Sequence, residues 1–588
     1  MKTLIAFCII IFFISYASSD EPIYVYEIQG LTSSQNGDLI SRGFDVAAVM
    51  PRKFTHIFAT ANEIEKLKTL GYSGVIKREI NSNIKGLDPA YTDYNELLTE
   101  MQRLASNYPG IAKLYDLGDP WVKTNNYKQY NQWYYQDYDI MGLKVSDNVN
   151  SDEDEPVLLI MALHHAREAM TVEVSVYAMQ QLIEQYATNS EYKNWVDSYE
   201  IWFVPLLNPD GHNVSFNYHD NREKNQRKNL RDNNNNHKAD FGSSANGLDG
   251  VDLNRNYSFE WSRGDNSQYS ATYRGPYPFS EPEVQVIRTL TLSKKPVISV
   301  SLHSYSGLVL WPWGCYYSAS TEAALLSKIG RESAVPMGYT PEQAVELYPC
   351  YGTSDDWLYA ELGTYPYTIE MNTDNEGGFF PPAEMIEPTQ KKVWSGLRAF
   401  FVNGLSTQVT GRAFLRGTGN PIKGVKVTIR ELNDPNHWTP RKTNEFGRYR
   451  YLLVPGNYTL EAEYGANPKQ TIPFTVADKE IKEIDFYFDY AGFKNNETAQ
   501  KILPEALKLA PNPFRNELNI SFNLSEKSDV LVEVFDLTGR LIKTLVKASY
   551  PSGNHGVRFN SSNMSNGVYI LRCRVADKIF IKKALKIN

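Results

Sequence analysis

Four short stretches of this 588-residue chain carry the side-chain types that metal-assisted hydrolysis needs. His164-His165-Ala166-Arg167-Glu168 places a histidine and a glutamate three residues apart, so that both can face one point from a tight turn. His303 and Glu370 each follow an apolar run, Pro296–Leu302 and Tyr365–Ile369. Together His165, Glu168 and His303 make a two-histidine, one-carboxylate set, which leaves zinc an open position for water. His164 is the nearest competitor to His165. In Gly250-Val251-Asp252-Leu253-Asn254-Arg255-Asn256, the Arg255 guanidinium suits bidentate pairing with a free carboxylate, with Asn254 as a neutral donor beside it. Each piece alone is ordinary, since a lone histidine after an apolar strand is more often satisfied structurally. Their company is the signal.

Positioning such groups requires elements that end together. Val157–Leu163, Glu200–Leu207, Pro296–Leu302 and Tyr365–Ile369 read as buried strands, and Thr171–Ala187 as a helix between two of them. This alternation predicts an α/β fold, a mixed open sheet with helices on both faces, over 88–405. Functional groups gather at the carboxyl ends of the strands of such a sheet.

These motifs have a specific resemblance. His165-Ala166-Arg167-Glu168, Gly250–Asn256, Leu302-His303-Ser304-Tyr305-Ser306 and Thr368-Ile369-Glu370 resemble the zinc carboxypeptidase family. Tyr348 followed by Gly352, Ser354, Asp356 and Trp357 does the same. The resemblance implies one zinc ion held by His165, Glu168 and His303, with Asp252 orienting His165 from behind. It implies Glu370 as the general base that takes a proton from the attacking water and returns it to the leaving amine. Arg227 would stabilise the oxyanion, with Arg231 a nearby alternative. Asn254, Arg255, Tyr348 and Arg167 would bind the substrate, and Asp355 would lie at the floor of the pocket for its last side chain. An aspartate there goes with Lys or Arg ends in this family, whereas an apolar residue goes with apolar ends. The expected activity is release of single residues from peptide or protein carboxyl ends. Rival readings are an amidase acting on cell-wall peptides, and a surface binding protein built on a dead hydrolase.

The flanks are read more coarsely. Met1–Ser19 has one lysine, an apolar run and a small-residue end, and reads as a secretory signal peptide. Residues 20–87 read as a small α/β prodomain, where Thr60-Ala61-Asn62-Glu63 fits a capping box that opens a helix. Residues 406–488 read as a carboxypeptidase regulatory-like β-sandwich and 489–509 as a linker. Residues 510–588, with Pro511-Asn512-Pro513-Phe514 and Asp536-Leu537-Thr538-Gly539-Arg540, resemble sorting domains of the type IX secretion system, which would make secretion machinery a partner. A net charge of -8 gives no reason to expect nucleic acid, and no later apolar run is long enough to span a membrane. Of 4 cysteines, Cys315, Cys350 and Cys573 follow the signal, and a Cys315–Cys350 bond is open. Asp232–Asp240, with four asparagines between, offers oxygens of the kind calcium takes but lacks the usual calcium-loop spacing. It reads as a solvated polar loop, and calcium is without support at this level.

Overall fold

The computed structural model describes residues 22–80, 86–242, 247–416, 418–434, 439–465, 467–489, 507–524, 527–535, 541–561, 564–575 and 578–587. The expected signal peptide, most of the expected linker and the Asp536–Arg540 motif lie outside these residues. The chain divides into two compact units, Met1–Ala491 and Gly492–Asn588.

The first unit opens with a four-stranded antiparallel sheet of β1 (Ile23–Gln29), β2 (Asp45–Met50), β3 (Phe54–Ala59) and β4 (Val75–Ile80), in the order β2-β3-β1-β4. Its helix Ala61–Thr69 starts at the expected cap: the Thr60 hydroxyl accepts from the Glu63 amide while the Glu63 carboxylate reaches back.

The main sheet has eight strands: β5 (Ala112–Gly118), β6 (Ile140–Val145), β7 (Val157–Ala162), β8 (Glu200–Val204), β9 (Ile298–Ser304), β10 (Leu308–Trp311), β11 (Thr340–Gln343) and β12 (Tyr365–Met371). Their order is β11-β10-β12-β9-β7-β8-β6-β5. The central four, β12, β9, β7 and β8, run parallel, while β10 against β12 and the β8, β6, β5 edge are antiparallel. The continuous apolar run of β7 is explained by burial on both faces. Leu158, Ile160 and Ala162 enter one core, and Val157, Leu159 and Met161 the other. The helices Met170–Glu184, Ala323–Met337 and Ile386–Gly404 close the first core, and Pro282–Lys294 helps close the second. The expected mixed α/β fold is therefore observed, with the ends of β7, β9 and β12 carrying the expected site.

Residues 408–488 form two small sheets packed face to face, Gln408–Leu415 with Arg448–Leu452, Ile481–Glu483 and Phe486–Phe488, and Lys426–Ile429 with Gly456–Glu463 and Gln470–Val476. Arg441 from this domain is buried against the main one, where its Nε donates to the Gly363 carbonyl at 2.7 Å and its Nη1 lies 3.2 Å from Glu322. The second unit is a separate pair of sheets, Leu507–Ala510, Glu517–Leu524 and Gly553–Asn560 in one, and Ser528–Phe535, Leu541–Tyr550, Gly567–Val575 and Lys578–Lys586 in the other. Leu518, Ile520, Val530, Val532 and Val534 fill its own core, on the alternation their spacing predicts. Among the described residues no helix is long and apolar enough to cross a membrane.

Candidate active site

Past the end of β7 the chain turns at Leu163, whose φ of 57° is left-handed. That conformation costs a leucine about 1–2 kcal/mol, and such strain gathers at functional sites. The turn brings His165 and Glu168 together, with Nδ1 of His165 2.8 Å from the Glu168 carboxylate. In the parallel pairing of β9 with β12, His303 stands in register with Glu370. His303 Nδ1 lies 3.2 Å from His165 Nδ1 and 3.1 Å from the second Glu168 oxygen. The three donor atoms lie within 4.8 Å of one another, and all three residues are buried.

This donor set suits zinc. Two ligands held at about 2.0–2.1 Å from one tetrahedral ion stand about 3.3 Å apart, close to the spacing of the two imidazole nitrogens. The nitrogen that faces away on each ring is also held: His165 Nε2 is 3.1 Å from Asp252 and His303 Nε2 is 2.9 Å from the Ser301 hydroxyl. Such outward contacts choose the tautomer and aim the ring. His164 points elsewhere, with Nε2 3.1 Å from the Tyr257 hydroxyl, and stacks on His303 from behind.

Asp252 ties the site together. One oxygen faces His165 and caps the short turn Leu253–Arg255 through the Asn254 amide at 2.9 Å. The other accepts from Arg227 Nε and Nη2 at 3.1 and 2.9 Å. Burial raises the pKa of this carboxyl, but Arg227, His165 and Arg255 outweigh it and hold it well below the usual range. Arg231, the alternative to Arg227, instead pairs with Glu281 at 3.2 Å. Asn254 Oδ1 accepts from the Ser354 amide at 2.9 Å and so fixes the short helix that carries Asp355. At Gly352 a side chain is impossible, because φ is 67° and an added Cβ would meet the Arg255 carbonyl at 2.3 Å.

His165, Glu168, Arg227, Asn254, Arg255, His303, Tyr348, Asp355 and Glu370 line one cavity. Burial, helped by the Glu168 carboxylate, pushes Glu370 up to about 8 against the pull of Arg227 and Arg255. Burial likewise pushes Asp355 up to about 7, although the Thr368 hydroxyl donates to it at 2.7 Å. From the sequence, Thr368 has no role beyond its place in the Thr368-Ile369-Glu370 motif, and Ser301 has none. Each lies two residues before a named group, Glu370 or His303, on the same face of its strand, and the period of a strand points to them. Cys315 and Cys350 are free thiols, and Cys350 lines the cavity.

Arg167 is the departure from expectation. It does not line the cavity, because both its terminal nitrogens donate to Asp45 on β2, at 2.7 and 2.9 Å, and its guanidinium stacks over Phe379. The adjoining residues Val46–Val49 form one wall of the cavity, and Val49 packs with Leu308, Leu310 and Leu347. About 70 Å³ is left. That holds a few waters at about 10–15 Å³ each by this measure.

A parallel-centred α/β sheet with this set at its carboxyl ends defines a metallohydrolase. A family model described as Zinc carboxypeptidase matches residues 97–396, and the chain belongs to that family. A second, described as Secretion system C-terminal sorting domain, matches 508–587. A zinc carboxypeptidase from Saccharothrix mutabilis subsp. capreolus is 29% identical over 320 residues, 51% of this chain and 66% of its own length. Carboxypeptidase B from Astacus astacus is 27% identical over 321 residues, 53% of this chain and 95% of its own. Among solved structures, thrombin activatable fibrinolysis inhibitor shares the fold at 21% identity with a TM-score of 0.51, covering 65% of this chain and 98% of that one. Carboxypeptidase A from Helicoverpa armigera does so at 20% identity with a TM-score of 0.53, covering 66% and 98%.

Proposed function

We propose that the protein is a secreted zinc metallocarboxypeptidase that releases the last residue of peptides, with preference for Lys or Arg, and that residues 20–87 restrain it until they are removed. The observation that carries this reading is the meeting of His165, Glu168 and His303 with Glu370 and Arg255 around one cavity. Zinc, held by the first three, would supply a Lewis acid and lower the pKa of a bound water to about 7. Glu370 takes the proton of the attacking water and returns it to the leaving amine. Arg255 and Asn254 bind the substrate's free carboxylate, and Tyr348 closes over it. Arg227, held in place by Asp252, donates to the developing oxyanion.

Asp355 supports the basic preference. Its partners in the protein are hydroxyls, and burial keeps its pKa high for want of a cation. An incoming Lys or Arg side chain would provide one. The sorting-type carboxyl-terminal match supports export.

The test is release of the last residue from two peptides ending in Lys or Phe. The zinc-loaded protein is assayed whole and after limited proteolysis beyond residue 80, with and without a chelator. Chelator-sensitive release from the trimmed protein, faster for Lys, is expected. Faster release of Phe rejects the preference, equal activity before and after trimming rejects the restraint, and no release at all rejects the peptidase reading.

A further inference from the structure

We propose that the loop Asp232–Asp240 is a second metal site, one for calcium, separate from the donor set around His165. Asp232, Asn234, Asn236, the main-chain carbonyl of Lys238 and Asp240 occupy the first, third, fifth, seventh and ninth places of a loop, the alternation by which oxygen ligands encircle calcium. The loop departs from the usual spacing in having His237 at the sixth place, normally glycine, and Ser243 at the twelfth, which lies outside the described residues. The sixth place must turn left-handed, and His237 does so with φ of 63°. Its amide donates to Asp232 at 2.7 Å.

The candidate ligands converge. One oxygen of Asp240 lies 2.6 Å from the Asn234 side-chain amide and 2.8 Å from that of Asn236. Which end of an amide is oxygen follows from its partners, so both groups can present oxygen to a cation at that point. The loop is also less solvated than its composition suggests. The tip is exposed, but the Asp232 carboxylate is fully buried and Asp249 behind it nearly so. Asp249 accepts from the amides of Asn233 and Asp240 and so holds both ends of the loop.

Independent of the loop, Tyr135 points to a missing partner. It is 1% exposed, and its hydroxyl has no hydrogen-bond partner, although Asp232 and Asp249 both act on it. A phenol buried beside two carboxylates ordinarily donates to one. The Tyr127 hydroxyl already takes that place on Asp232, at 2.9 Å. Water in a cation's coordination shell would satisfy Tyr135. The Lys228 ammonium sends its hydrogen bonds to the carbonyls of Gly247 and Gln268, and none is made to Asp232 or Asp249. The loop joins Arg227 to Asp252, and the Gly250 amide closes its base on the Arg231 carbonyl at 2.7 Å. Calcium here would stiffen the segment from which both site residues project.

The test uses the zinc-loaded full-length protein and terbium as a luminescent stand-in for calcium. Tyr127, Tyr134 and Tyr135 pack under the loop and would sensitise the ion. Tyrosine-excited emission that calcium displaces is expected, with a calcium Kd of about 10⁻⁴–10⁻³ M, the range of extracellular calcium modules. Asp240→Asn should weaken calcium at least tenfold, and so should Asn236→Ala, an exposed change that leaves the core intact. Absence of calcium-displaceable emission overturns the proposal. So does unchanged affinity in both variants, which would place the ion elsewhere, for example at Asp147, Glu153 and Glu155.

Discussion

In the proposed function a single carboxyl, Asp355, sets the substrate preference; it lies in the cavity with Thr368 and Ser354 as its hydroxyl partners. A substrate ammonium buried without the carboxylate that would pair with it costs about 2–5 kcal/mol. Asp355→Asn should therefore lower the Lys-over-Phe ratio of kcat/KM by roughly 30-fold or more, mainly through loss of Lys turnover. The ratio also carries a pH signature. With its pKa pushed up to about 7, Asp355 is largely neutral at pH 5 and ionised at pH 8. The preference for Lys should rise with pH through about 7 in kcat/KM, which reports the free enzyme. A flat ratio between pH 5 and 8 would separate Asp355 from specificity. For Glu370→Gln, kcat should fall by about 10²–10⁴ with KM little changed, because the lost group moves a proton and does not hold the substrate. Most of these residues were legible in the sequence because each sits in a motif of fixed spacing. The roles of Thr368 and Ser301 were not, although Thr368 stands in the Thr368-Ile369-Glu370 motif, since a hydroxyl gains a role only once the strand's alternation places it beside Asp355 or His303.

In the proposed restraint, β2 is the element that would limit access, since it lines the cavity. Asp45 holds Arg167 by two hydrogen bonds with both side chains buried, while Val46–Val49 wall the cavity. Breaking one side of a buried ion pair costs about 3–5 kcal/mol. Asp45→Asn should raise the activity of the untrimmed protein markedly and leave that of the trimmed protein unchanged; assay of both forms checks this. The β-sandwich domain grips the main domain in a similar way. Arg441 and Glu322 are both buried, and Gly363 and Tyr365, which Arg441 also touches, lead into the strand that bears Glu370. Arg441→Met should lower the melting temperature by several degrees, and adding Glu322→Gln should restore part of it, since much of the cost is the orphaned charge. Neither contact was legible in the sequence, because each joins residues more than a hundred positions apart with no pattern linking them. Strand legibility followed length and burial. β7 is a continuous apolar run, and β9 and β12 are buried strands of seven residues each, whereas β10 and β11 have four residues each, and β11 reads Thr-Pro-Glu-Gln, which no propensity marks as a strand. Pairing with β10 makes it one.

At the scale of the whole molecule, the division into two units bears on the proposed export. The main sheet, the amino-terminal four-stranded sheet and the β-sandwich share one unit, and every residue lining the cavity lies within it. The unit Gly492–Asn588 closes its own core around Phe514, Leu518, Val532 and Leu571, and matches the sorting-domain family over 508–587. A separate core means that stability and address can be lost independently. A chain ending at Ala491 should keep the melting transition of the catalytic unit, and after trimming its kcat/KM should stay within about twofold of the full-length value. In a host with the matching secretion machinery, the same truncation should leave the enzyme inside the cell envelope while the full chain reaches the outside. Fractionation followed by activity assay distinguishes the two. A truncated chain that melts lower or loses turnover would make the last unit a structural partner of the enzyme. Undiminished export of a fully active truncated enzyme would deny the unit its sorting role.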